Sequence, residues 1–275
     1  MYPRREQYVR APLVLVTAEL RLNYEPQVKR DDVRDAFATA VRSRFPILAN
    51  EQVVTFALQT PAEAPVEPEH LPQIRATAKD RTATVALNPT SLNLSMSGDA
   101  YGAYEDSFEP LMSAVVDALY AVTESVVIER VGLRLIDEVR PASPPEHTDG
   151  WARWINPELI GATAALASRT ARGFRSSVVF KPEPDRTVTF SCGEFTGVTI
   201  VDQGLPFGRK EGPPSKMFVI DVDSAWEPEG FAMLDPGAIT SVLAELHRPV
   251  GELFQWSITD EARMMFRGEG ENVRD

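Results

Sequence analysis

Thr82-Ala83-Thr84-Val85-Ala86-Leu87-Asn88-Pro89-Thr90-Ser91-Leu92-Asn93-Leu94-Ser95-Met96-Ser97 is the stretch that decides the fold class. Leu92, Leu94 and Met96 alternate with small polar residues, the period-two pattern of a strand with one buried face. Asn88-Pro89-Thr90-Ser91 has turn chemistry, so strands at 82–88 and 91–97 are expected to form a hairpin. Directly downstream, Phe108, Leu111, Met112, Val115, Val116, Leu119 and Tyr120 share one side of a predicted helix over 106–123. Pro110 falls in its first turn, where a missing amide does no harm. Strands come in runs before a helix and no βαβ alternation is visible. The class this predicts is α+β, with curved, mainly antiparallel sheets packed against two long helices.

Working outward toward the N-terminus, residues 12–22 alternate. Val14, Val16, Ala18, Leu20 and Leu22 lie on one face, with Thr17, Glu19 and Arg21 on the other. A helix is predicted over 31–44 from Val33, Phe37, Val41 and Phe45, ended by Pro46. Strands are predicted at 52–58 and 72–78, separated by a surface loop rich in proline and glutamate between Thr60 and Pro72. Toward the C-terminus, a strand at 126–139 places Val127, Glu129, Val131, Leu133 and Leu135 on one side. Ile128, Arg130, Gly132, Arg134 and Ile136 take the other.

Pro141 to Gly150 is the best candidate boundary. It divides the chain into halves, 1–140 and 151–275, of similar topological order, expected to form one compact unit. Asn156-Pro157 predicts a short helix. Strands follow at 173–181, 186–193, 196–202 and 215–223, with a loop from Gly204 to Pro214. A long helix over 235–254 and a final helix capped by Ser257 or Thr259 close the pattern.

Composition narrows the function classes. The chain has 275 residues, enough for a core without staples. Its 40 acidic and 28 basic residues leave a net charge of −12, which disfavours non-specific nucleic-acid binding. Cys192 is the one cysteine, so no intrachain disulfide forms and a reducing cytoplasm is expected. Cys192 itself reads as a small buried hydrophobe. No secretory leader is read at the start, and no run approaches a membrane span.

Four segments carry a resemblance: Arg10-Ala11-Pro12-Leu13-Val14; Glu129-Arg130-Val131-Gly132-Leu133-Arg134-Leu135-Ile136-Asp137; Phe218-Val219-Ile220-Asp221-Val222-Asp223; and Leu246-His247 with Leu253-Phe254-Gln255-Trp256-Ser257-Ile258-Thr259-Asp260-Glu261-Ala262-Arg263. In this order they resemble a sporadically distributed family of uncharacterised bacterial proteins of about this length. The resemblance implies a patchy distribution, as on mobile elements, and no catalytic residues to carry over. Pro249 departs from the pattern and is expected to kink or break the long helix.

Candidate site residues are few. Asp221 and Asp223 share one strand face and would suit a divalent metal or an acid/base pair; the competing expectation is a solvent-facing strand end. Arg130 and Arg134 share a face around Gly132, where the missing side chain admits a close neighbour; they would receive an anion or form cross-strand salt bridges. His247 lacks an accompanying nucleophile motif and reads as a surface or capping histidine. Trp256, Met264, Met265 and Phe266 make a candidate partner-binding tail. No metal or cofactor site is assigned. The expected function is a non-enzymatic protein- or ligand-binding factor, an accessory or antitoxin-like component of a mobile or anti-phage defence locus, with a partner encoded nearby. Two alternatives stay open: a metal-dependent hydrolase or nuclease using Asp221 and Asp223, and a container for a small apolar ligand.

Overall fold

The computed structural model describes residues 6–55, 69–123, 125–166, 171, 173–199 and 214–269. It is α+β. One large antiparallel sheet is built from β1 (Leu13–Leu22), β2 (Ile47–Thr55), β3 (Glu69–Thr77), β4 (Ala83–Asn88), β5 (Ser91–Ser97), β6 (Val127–Val139), β7 (Arg175–Glu183), β8 (Arg186–Gly197), β9 (Ser215–Trp226) and β10 (Ala232–Met233). The order across it is β2-β3-β4-β5-β1-β6-β9-β8-β7, with β10 on β6 beyond the end of β9. Four α-helices accompany it among the described residues: α1 (Asp31–Val41), α2 (Glu109–Val122), α3 (Pro236–Ser257) and α4 (Asp260–Arg267).

The alternating residues explain the layering. Val16, Ala18 and Leu20 on β1 share one core with Val85, Leu94, Leu133 and Val222 on other strands. The helix residues Phe37, Val115, Leu119, Leu243 and Val250 complete that core. A second, small cluster of Val14, Leu15, Ile136, Met217 and Val219 lies apart from it, and no described helix contributes to that cluster. The sheet therefore has a helix-covered face and an open face, where open means free of described helices.

Several boundaries differ from the sequence expectation. A bulge between Leu13 and Leu15 turns Val14 away from the main core and into the second cluster. A second irregularity, between Arg21 and Leu22, brings Ile128 into the main core beside Val131 rather than opposite it. The strand expected at 52–58 begins at Ile47, directly after Pro46. β8 continues to Gly197 where the sequence suggests two strands. Gly193 makes this possible, because a Cβ there would fall 2.5 Å from the Phe174 carbonyl oxygen. Asn156 accepts from Glu158 N at 3.0 Å, yet makes only a turn; the 3-10 helix comes later, at Gly161–Leu166. The expected helix at 106–123 opens with a π-helical turn, Tyr104–Phe108, before α2. The expected loops at 60–72 and 204–214, the strand at 196–202 beyond Thr199, and the last six residues lie wholly or mostly outside the described residues.

Pro249 does not break α3, which runs from Pro236 to Ser257. Proline removes one main-chain bond, but Leu246 and Val250 on either side are buried, and tertiary packing holds the helix together. Asp235 caps its start by accepting from Ala238 N at 2.7 Å. Thr259 caps α4 by accepting from Ala262 N, and its hydroxyl donates to the Arg153 carbonyl at 2.6 Å. Replacing Thr259 with Ala removes both bonds. The expected cost is about 1 kcal/mol, seen as a fall in Tm of roughly 2–4 °C in a thermal melt.

Candidate functional site

The residues singled out in β6 and β9 meet on the open face. Arg134 stands opposite Asp223 in the register of β6 and β9, and Ile136 opposite Asp221. Each arginine leans along the sheet to a carboxylate diagonal to it. Arg134 donates from Nε to Asp221 Oδ1 at 2.8 Å and from Nη2 to Oδ2 at 2.6 Å, a two-pronged bond. Arg130 donates from Nη2 to both oxygens of Asp223, at 3.1 and 2.9 Å, and from Nη1 to Glu19 Oε2 on β1 at 3.1 Å. A stripe of alternating charge thus crosses β1, β6 and β9.

Gly132 is the local reason that this stripe exists. A Cβ there would sit 2.3 Å from Arg130 Nη1, so the guanidinium lies where a side chain would have been. Glu19 is the register partner of Gly132 on β1, and the folded-over arginine meets it there. The close neighbour that the glycine admits is the chain's own Arg130. Its side chain is only 14% exposed, whereas Glu19 and Asp223 keep 35% and 37%. The bond that Arg134 donates to Asp221 also raises the pKa of Arg134 above its ordinary value, against the opposing effect of burial.

Next to the stripe, the open face carries hydroxyls and amides bonded to one another in two groups. Thr17 and Ser95 share a hydrogen bond of 2.9 Å, Asn88 donates to Gln73 at 3.3 Å and to Ser91 at 3.0 Å, and Gln73 donates to Glu51 at 3.0 Å. Arg75 pairs with the same Glu51 at 2.9 Å. Asn88, Gln73 and Ser95 are buried, and bonding to one another offsets the cost of removing them from water.

The other candidates lie elsewhere. His247, on α3, is on the helix side. Its Nε2 is 3.1 Å from the Tyr101 hydroxyl, and its ring stacks on Tyr104 at 4.5 Å. Burial raises the Tyr104 pKa above its usual value. The expected tail is divided. Phe266 is buried against Tyr8 and Phe254, Met265 is half-buried against the main core, and Trp256 packs edge-on to Phe190 at 6.4 Å. Met264 is exposed. Cys192 is buried, and desolvation pushes its thiol up to about 11, which makes it a poor nucleophile.

Asp137, which ends one of the resembling segments but is not among the candidate site residues, is the notable acid. It faces the helix-covered side opposite Ile220 and is 6% exposed. Burial, with a smaller contribution from the Asp221 charge, pushes its carboxyl up to about 8. It is mostly protonated at neutral pH. Glu19 was legible only as a polar position on β1; its role needed the pairing of β1 with β6. Among the described residues, no group of three or more His, Cys, Asp or Glu side chains is arranged to hold a metal ion. Among them too, no helix is long and apolar enough to cross a membrane. Comparison with family models, curated proteins and solved structures found no match to this chain.

Two measurements check this geometry. Gly132→Ala should show a coupling of about 1 kcal/mol with Arg130→Met in a urea-melt double-mutant cycle. Alone it displaces the guanidinium, while in the Arg130→Met background it gains the alanine advantage of roughly 0.5–1 kcal/mol over glycine. A coupling near zero would mean that Arg130 is not held over Gly132. For Asp137, the folded pKa lies above the ordinary carboxyl value of 3.8, so the folded state binds the extra proton between the two and stability falls as pH rises toward 8. Asp137→Asn should therefore raise Tm, by more at pH 8 than at pH 5.

Proposed function

We propose that this chain is a non-enzymatic binding factor whose binding surface is the open face of the sheet. The observation that carries the proposal is the state of Asp221 and Asp223. All four of their carboxylate oxygens already accept from Arg130 or Arg134. Carboxylates held in this way make poor general bases and offer a cation no free oxygen. What remains is a rigid array of donors and acceptors on a sheet, suited to recognition.

The same proposal includes two topologically similar halves, each ending in a long helix. The strand order supports it: β1 lies beside β5 and β6 beside β9, and α2 and α3 follow those meanders. On this reading the ion-pair stripe straddles the seam between the halves. The sequence resemblance adds the biological part: a cytoplasmic accessory or antitoxin-like factor of a mobile or anti-phage defence locus, acting on a protein encoded nearby.

The competing metal-dependent hydrolase would use the same aspartates, and this makes the test direct. Millimolar Mg²⁺ or Mn²⁺ should leave Tm unchanged. A rise that disappears in the Asp221→Ala, Asp223→Ala double variant would overturn the proposal in favour of the metal reading. As a positive check, hydrogen exchange of the complex with a partner purified from the native host should show new protection in β1, β6 and β9. Protection confined to the helices would place the surface elsewhere.

A further inference from the structure

At one end of the open face, Arg175, Ser177, Ser191, Phe195, Val219 and Asp221 line a groove of about 390 Å³ between β7, β8 and β9. That volume is at the small end of the ~300–1,000 Å³ usual for small-molecule sites. Its charges do not balance. Asp221 gives both oxygens to Arg134. Arg175 is exposed at the rim, and no described residue forms an ion pair or hydrogen bond with its side chain. Its guanidinium carbon instead lies 4.4 Å from the centroid of the Phe195 ring.

Arg130, Arg134, Arg140, Arg153 and Arg186 each hold a carboxylate. Among the described arginines without a carboxylate partner, Arg175 is the one braced on an aromatic ring, and it lies at the groove. Seated over the ring, the guanidinium is held at the groove with its N–H donors unused among the described residues, and a guanidinium can grip a planar anion with two parallel bonds. On the groove wall, the Ser177 and Ser191 hydroxyls are 2.9 Å apart. One proton serves the bond between them, and the other remains to donate to a ligand. Phe195 and Val219 supply apolar surface beside these polar groups.

We propose that this groove binds a small organic anion with a flat apolar body: its carboxylate or phosphate on Arg175, within reach of the serine pair, and its body against Phe195 and Val219. The proposal rests on the binding-factor reading above and names a ligand class for that face. It assigns the sites different parts: the paired stripe gives rigidity, and the unpaired arginine gives affinity.

The test is calorimetric titration of the full chain with benzoate and with phenyl phosphate, using benzamide as the neutral counterpart and inorganic phosphate as the anion without an apolar body. At least one aromatic anion should bind saturably. Benzamide and inorganic phosphate should each bind about tenfold more weakly or worse, and Arg175→Gln should lower the aromatic anion's affinity by a similar factor. Arg175 is exposed, so the variant should fold, as circular dichroism will verify. No saturable binding by either aromatic anion, or equal binding by Arg175→Gln, overturns the proposal. Equal binding of inorganic phosphate overturns the apolar-body assignment. The hydrogen-exchange experiment separates the two levels. If the anions fail while a partner still protects β1, β6 and β9, the groove assignment falls alone; if both fail, the binding reading falls with it.

Discussion

The pairing of β1 with β6 is the constraint on which the rest depends. It joins Leu20 to Val131 and Ala18 to Leu133, residues more than a hundred positions apart, at the middle of the sheet. Every other strand extends from this pair: β5 and the strands beyond it on one side, β9 and its neighbours on the other. Closing so long a segment costs chain entropy, and burial of the inward-facing Val16, Ala18, Leu20, Val131 and Leu133 offsets it. A one-residue slip would turn all of these side chains to the open face, so the register is strongly specified.

The same pairing determines the charge pattern. Glu19 is opposite Gly132 only in this register, and Arg130 folds over the glycine to meet it. Individual ion pairs of this exposure are worth about 0–1 kcal/mol each. Their importance is geometric: they hold carboxylates and guanidiniums in set positions on a sheet face that carries no described helix. By contrast, Asp137 places an acid among apolar neighbours on the helix-covered side and stays mostly protonated. One strand therefore carries a satisfied polar edge on one face and a costly buried acid on the other.

Much of the fold is legible in the chain alone. The hairpin at 82–97, the strand at 126–139 and the long helix near the C-terminus each have a clean period, and period is what sequence displays best. The misplacements share a physical origin. Val14 and Ile128 are displaced by irregular pairing, which depends on the partner strand and leaves no trace in local alternation. Pro249 was expected to interrupt α3, but its neighbours Leu246 and Val250 are buried in the main core. Within the candidate site, the shared faces of Arg130 and Arg134 and of Asp221 and Asp223 followed from strand geometry. That these two pairs would meet, and that Glu19 would join them, did not.

The sequence by itself determined most of the alternating runs, the presence of the long amphipathic helices, that the chain is acidic, and that Gly132 would admit a close neighbour. These are properties of short segments, governed by side-chain volume, polarity and backbone preference. Only the tertiary structure decided which strands adjoin, which carboxylate each arginine holds, and that Arg175 holds none among the described residues. Those outcomes depend on contacts between residues far apart in the chain, and the register that creates such contacts is selected by the burial of the whole core rather than by any local stretch.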